Sequence, residues 1–76
     1  MTINEAFGQV LKEELDKQQI RRVDFAKQTR MSRQYVYRMT KGQHSPSLDT
    51  ILIIANALNV DFTVLMERTK MLLNKA

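Results

Sequence analysis

The sequence predicts an all-α domain of five helices, and three observations carry that expectation. Only two glycines and one proline punctuate 76 residues. The strict alternation of β-branched and polar residues that marks strands is nearly absent, and apolar residues return at intervals of three and four. The length supports one hydrophobic core and not two, so residues 1–76 read as a single domain.

The first helix opens at Thr2, with Glu5 three positions later in a capping-box pattern. Ile3, Phe7, Val10, Leu11 and Leu15 fall at helical spacing and are expected to face the core, with the helix ending near Gln18. The stretch VDFAKQT suggests a second, short helix with Phe25 and Ala26 inward. Ser32 is a good N-cap for a third helix running to about Thr40, and Gly42 offers the left-handed stop that often follows a helix. After the turn QHSPS, Ser47 can cap a fourth helix carrying Leu48, Ile51, Leu52, Ile54, Ala55 and Leu58; as the most apolar of the set it is expected to be central. Asp61 can cap a fifth, spanning about 62–74. Along it Phe62, Leu65, Met66, Thr69, Leu72 and Leu73 recur at helical spacing, a face that continues past the point where a small core should end. That surplus is expected to need a cover, which assigns Phe62, Leu65, Met66, Thr69 and Leu72 to a dimer seam.

Size and composition favour the same conclusion. A chain this short usually adds disulfides, a metal or a partner subunit. It has no cysteine and a single histidine, His44, so self-association is the remaining support, and no metal or other cofactor is expected. The N-terminus MTINEAFGQV has no cationic start followed by an apolar run, and no stretch approaches the roughly 20 apolar residues that span a bilayer. The expectation is a soluble cytoplasmic chain without a membrane partner.

The net charge is +4, and its distribution is more informative than its size. Between Arg21 and His44 seven basic residues face one acid, Asp24, whereas the rest of the chain carries five basic and seven acidic residues. Positive charge concentrated in the middle third favours a polyanionic partner through counterion release and electrostatic steering.

Within that basic third, two short helices are separated by a tight turn, the second of them rich in Arg, Gln and Tyr. This is the layout of a helix-turn-helix, here about 22–41. Counted from Arg22, apolar residues stand at the fourth (Phe25), tenth (Met31), fifteenth (Val36) and eighteenth (Met39) positions, with the small Ala26 at the fifth. Through FGQVLKEEL, the FA of helix two, MSRQYVYRMTKG, SPSLDTILIIANALNV and Leu65, the chain resembles the phage repressor and Cro family of helix-turn-helix regulators, also called the XRE family, over about residues 7–65. The resemblance implies a lambda-repressor-like five-helix domain whose third helix enters the major groove, commonly as a dimer on a near-palindromic operator. It also implies a bacterial or phage source, and a size similar to Cro-type repressors or restriction-modification controller proteins. Four positions depart from the family pattern. Arg21 and Arg22 stand where Ser-Gln is usual, Arg30 replaces the turn glycine, and Thr40 replaces a glutamate near the end of helix three.

A helical wheel at about 100° per residue sorts the third helix. With Val36 inward, Met39 lies beside it, Arg33 and Thr40 flank it on the other side, Tyr35 stands at the edge, and Gln34, Tyr37, Arg38 and Lys41 face away. Arg can bind guanine O6 and N7 in a fork, and Gln can pair with adenine N6 and N7. Arg33, Gln34, Tyr37 and Arg38 are therefore the expected base readers in double-stranded DNA. Arg21, Arg22, Ser32, Lys41, Gln43 and His44 are expected to bind phosphates, which fixes register without reading sequence.

No catalytic residue is expected. Glu13 and Glu14 point about 100° apart on one helix and read as solvated surface with Asp16 and Lys17. There is no glycine-rich phosphate loop and no nucleophile with a neighbouring base, so the chain is not read as an enzyme. The leading expectation is a transcriptional regulator without a ligand domain, controlled by concentration, dimerisation or occlusion of polymerase. A second reading is an antitoxin-like or adaptor module with a protein partner, favoured by the apolar fifth helix. A third, single-stranded nucleic-acid binding with Tyr35 and Tyr37 as stacking platforms, wants aromatics open on a sheet or groove.

Overall fold

Local capping chemistry divides the chain into the five expected helices. The computed structural model describes residues 1–75. They comprise α1 (Ile3–Gln18), α2 (Arg22–Thr29), α3 (Arg33–Thr40), α4 (Leu48–Leu58) and α5 (Phe62–Asn74), with no strand among the described residues. At the head of α1 the capping box is complete: the Glu5 N–H donates to Thr2 Oγ1 at 3.1 Å, and the Thr2 N–H donates to Glu5 Oε1 at 2.7 Å. Ser32, Ser47 and Asp61 accept from the N–H groups of Tyr35 (3.0 Å), Thr50 (3.2 Å) and Thr63 (2.8 Å) and so start α3, α4 and α5. Only α2 begins without a side-chain cap, at Arg21.

Three helices stop by one device. Gln19, Arg30 and Asn59 adopt left-handed backbone at φ 58°, 60° and 54°. The N–H of the next residue then reaches back to satisfy an orphan carbonyl: Ile20 to Leu15 (2.9 Å), Met31 to Ala26 (2.9 Å) and Val60 to Ala55 (3.0 Å). Ile20, Met31 and Val60 are partly buried against the core, so each turn is fastened by a hydrogen bond and an apolar contact. After α3 the left-handed residue is Gly42, at φ 73°.

The core is built around α1, which packs against α3 and α5, while α2 packs on α3 and α4, and α4 on α5. Phe25, Val36, Ile54 and Leu65 are fully buried at its centre. Gly8 lets α1 and α3 meet backbone to backbone: a Cβ there would lie 2.3 Å from the Met39 carbonyl oxygen. That contact sets how α3 is carried.

Several expectations are corrected. Although α4 is the most apolar helix, it is not the central one, because only Ile51, Ile54, Ala55 and Leu58 turn inward. Leu48, Leu52 and Ile53 stand in solvent at 70%, 48% and 46% exposure. Ile3, in the first turn of α1, is also exposed; it borders a shallow apolar cavity of about 120 Å³ with Phe7, Pro46, Ile51 and Met66.

The long face of α5 is covered by the chain's own helices. Leu65 and Thr69 are fully buried, and Phe62, Met66 and Leu72 are half-buried against the same core, so Leu65 and Thr69 have no surface to offer a second copy. The reason is that α1 runs along α5 and takes the face that periodicity alone left unclaimed.

Glu14 is likewise buried and not solvated. Its carboxylate accepts from Arg68 Nη1 at 2.6 Å and from Gln18 Nε2 at 2.7 Å, and the same Gln18 amide donates to the Leu58 carbonyl at 2.8 Å. Burial pushes the Glu14 carboxyl up, but the hydrogen bonds from Gln18 and Arg68, with the charges of Arg68 and Lys17, outweigh it and hold the group below the ordinary carboxylate value. This network ties α1 to α5 and to the end of α4.

Candidate nucleic-acid interface

Helix α3 presents two chemically distinct sides. Val36, Met39 and Thr40 are buried, the Thr40 hydroxyl donating to the Tyr37 carbonyl at 2.7 Å. Arg33, Gln34, Tyr37, Arg38 and Lys41 are exposed on the other side. The four expected base readers therefore share one accessible surface, at positions i, i+1, i+4 and i+5 of a helix whose inner side is locked into the core. Two forked or planar hydrogen-bonding groups, one aromatic ring and a second guanidinium are together what the edges of a major groove demand.

The two tyrosines differ in exposure. Tyr37 is 49% exposed, and the Lys41 ammonium lies 5.4 Å from its ring centroid, a cation–π contact that orders both side chains along the helix. Tyr35 is half-buried and meets His44 edge to face, with ring centroids 4.6 Å apart and planes at 75°. The contact fastens the loop after α3 to α3 itself, so His44 is held against that helix by packing that spacing did not reveal.

The expected phosphate binders fall in three places. Ser32 caps α3 through its oxygen lone pair, which leaves its hydroxyl hydrogen free to donate outward. Lys41, Gln43 and His44 are exposed at the other end of α3, where the Gln43 N–H donates to the Arg38 carbonyl at 2.9 Å. Arg21 and Arg22 are exposed at the start of α2, beside a shallow groove of about 390 Å³ that Lys12 also lines. Arg21 is engaged: its Nε donates to Asp24 at 2.9 Å, a contact that raises the guanidinium pKa and lowers that of Asp24. Arg22 makes no ion pair among the described residues.

Sequence reasoning missed Gly8, whose lack of a side chain places α3 on α1. The available signal was a glycine inside a helical pattern, which costs about 1 kcal/mol against alanine and so asks for a packing reason. Among the described residues no three His, Cys, Asp or Glu side chains converge as metal ligands, and no single helix is long and apolar enough to cross a membrane.

A helix-turn-helix family model matches residues 11–65. No curated protein sequence matches the chain. Among solved structures, the restriction-modification controller protein C.AhdI from Aeromonas hydrophila is 31% identical, with a TM-score of 0.78 over 82% of this chain and 94% of that one. The controller protein C.Esp1396I shares the fold at 16% identity, with a TM-score of 0.88 over 100% and 99% of the two chains. The clp gene regulator ClgR from Corynebacterium glutamicum does so at 17% identity, with a TM-score of 0.88 over 92% and 91%.

Proposed function

Because the chain belongs to the XRE-type helix-turn-helix family of DNA-binding transcriptional regulators, we propose that it binds a specific, near-palindromic operator in double-stranded DNA as a cytoplasmic homodimer. The observation that carries the reading is the outer side of α3, where Arg33, Gln34, Tyr37 and Arg38 are exposed together while Val36 and Met39 anchor the inner side. Bases are read by the first set, and register is held through phosphates by Ser32, Arg22, Lys41, Gln43, His44 and Arg21.

The homodimer follows from two considerations. A single α3 covers too few base pairs to be selective in a genome, and two copies about 34 Å apart match one helical turn of DNA. The proposed seam draws on side chains the monomer leaves in water, Leu52 and Ile53 of α4, and on the half-buried Phe62 and Met66 of α5. The likeness to restriction-modification controller proteins supports regulation of transcription by a chain of this size.

Selection from a random duplex library at about physiological salt tests the proposal. The expected winner is a palindrome with half-sites about 10 bp apart. Enrichment of no duplex motif would sink it, and capture of a protein in place of DNA would favour the adaptor reading.

A further inference from the structure

Arg30 occupies a position that suits glycine. It closes α2 at φ 60°, with its N–H donating to the Lys27 carbonyl at 3.3 Å and the Met31 N–H donating to Ala26. A β-carbon is crowded against backbone oxygen in that region, so an arginine here is held at a steric cost that glycine escapes. Strain alone does not single it out, since Gln19 and Asn59 share the conformation. Charge and place do.

The side chain is exposed, and the ion pairs of the described residues are Arg21–Asp24, Arg68–Glu13 and Arg68–Glu14, so Arg30 has no carboxylate partner. Asp24, the single acid of the basic third, is already taken by Arg21 at 2.9 Å. Arg30 also rises from a fixed point two residues before Ser32, the cap of the helix that carries the base readers, and from a turn fastened by hydrogen bonds on both sides.

We infer that Arg30 binds a backbone phosphate of the operator beside the N-terminus of α3, an anchor that opposes the Lys41–His44 group at the other end of the same helix. The inference rests on the reading of the chain as a duplex-binding regulator. It gives the departure from glycine a function: the turn gives up stability for a cation placed where the groove edge passes. The recognised partner is a phosphodiester, so the contact adds affinity for every duplex and no base preference.

Stability and binding should therefore move in opposite directions in one variant. Arg30→Gly relieves the strain and is expected to raise Tm by about 4 °C or more. It is also expected to weaken binding to the selected operator and to a scrambled duplex alike, by about fivefold at 0.15 M salt, with the slope of log K against log salt shallower by about 0.9. Arg30→Ala, which keeps the strain, is expected to show the same slope change without the gain in Tm, and Arg30→Lys to keep the wild-type slope. Unchanged affinity and slope in Arg30→Gly, or weaker binding at an unchanged slope, would overturn the inference while leaving the regulator reading intact. A wild-type chain that binds no duplex overturns both.

Discussion

At the residue scale, what separates one arginine from another is the surface each occupies. Arg33 and Arg22 are both exposed, yet one opens α3 and the other opens α2. Arg33→Ala is expected to cost roughly 1 to 3 kcal/mol on the operator and to relax preference at one base pair. Arg22→Ala is expected to weaken all duplexes uniformly and lower the salt slope by about one. Competition binding against single-base operator variants distinguishes the two patterns. Gly8 makes a prediction of a different kind. Its Cβ would collide with the Met39 carbonyl at 2.3 Å, backbone against backbone, so Gly8→Ala forces α1 and α3 apart. A loss of about 1 to 3 kcal/mol in urea unfolding is expected, as for other overpacked contacts, with DNA affinity falling because α3 shifts. The capping residues were legible from sequence because a cap is a matter of three or four consecutive positions. Glu14 was not, since its partner Arg68 lies 54 positions away and only the fold brings them together.

At the element scale, periodicity shows that a helix face is apolar and does not show what covers it. The α5 stripe of Phe62, Leu65, Met66, Thr69 and Leu72 is real, but α1 takes its centre. The outer side of α4, with Leu52 and Ile53, is left in solvent instead. Leu52→Glu is accordingly expected to keep the fold and shift the chain to monomer in sedimentation equilibrium, whereas a wild-type monomer at the same concentration would remove the seam altogether. The Glu14–Arg68–Gln18 network that ties α1, α4 and α5 together also has a pH signature. Because the Glu14 carboxyl is held below its ordinary value, its stabilisation is fully present above the unfolded glutamate pKa of about 4.3. It is lost as pH falls through the lower folded value. Arg68→Ala is expected to cost about 1 to 3 kcal/mol near neutral pH by leaving a buried carboxylate short of a donor. In thermal melts the deficit should shrink toward acid, and a deficit independent of pH would mean that Glu14 is stabilised by other means.

At the scale of the whole molecule, charge and packing divide the chain between two tasks. Positive charge gathers between Arg21 and His44, while the remainder is net acidic. The core fixes α3 from behind through Val36, Met39 and the Gly8 contact, so its outer side is presented on a backbone with little left to reorganise. The fold class and the exposed polar side of α3 were visible in the sequence because they follow from spacing, caps and local charge. The centre of the bundle and the covering of α5 were not, because they depend on which helix lies across which. The most direct test of the central claim is the ratio of affinities for the selected operator and for a scrambled duplex of equal length, measured at 0.15 M salt. A sequence-reading dimer is predicted to prefer the operator by about a thousandfold or more. A ratio near one would contradict it and leave only a basic surface that binds any duplex.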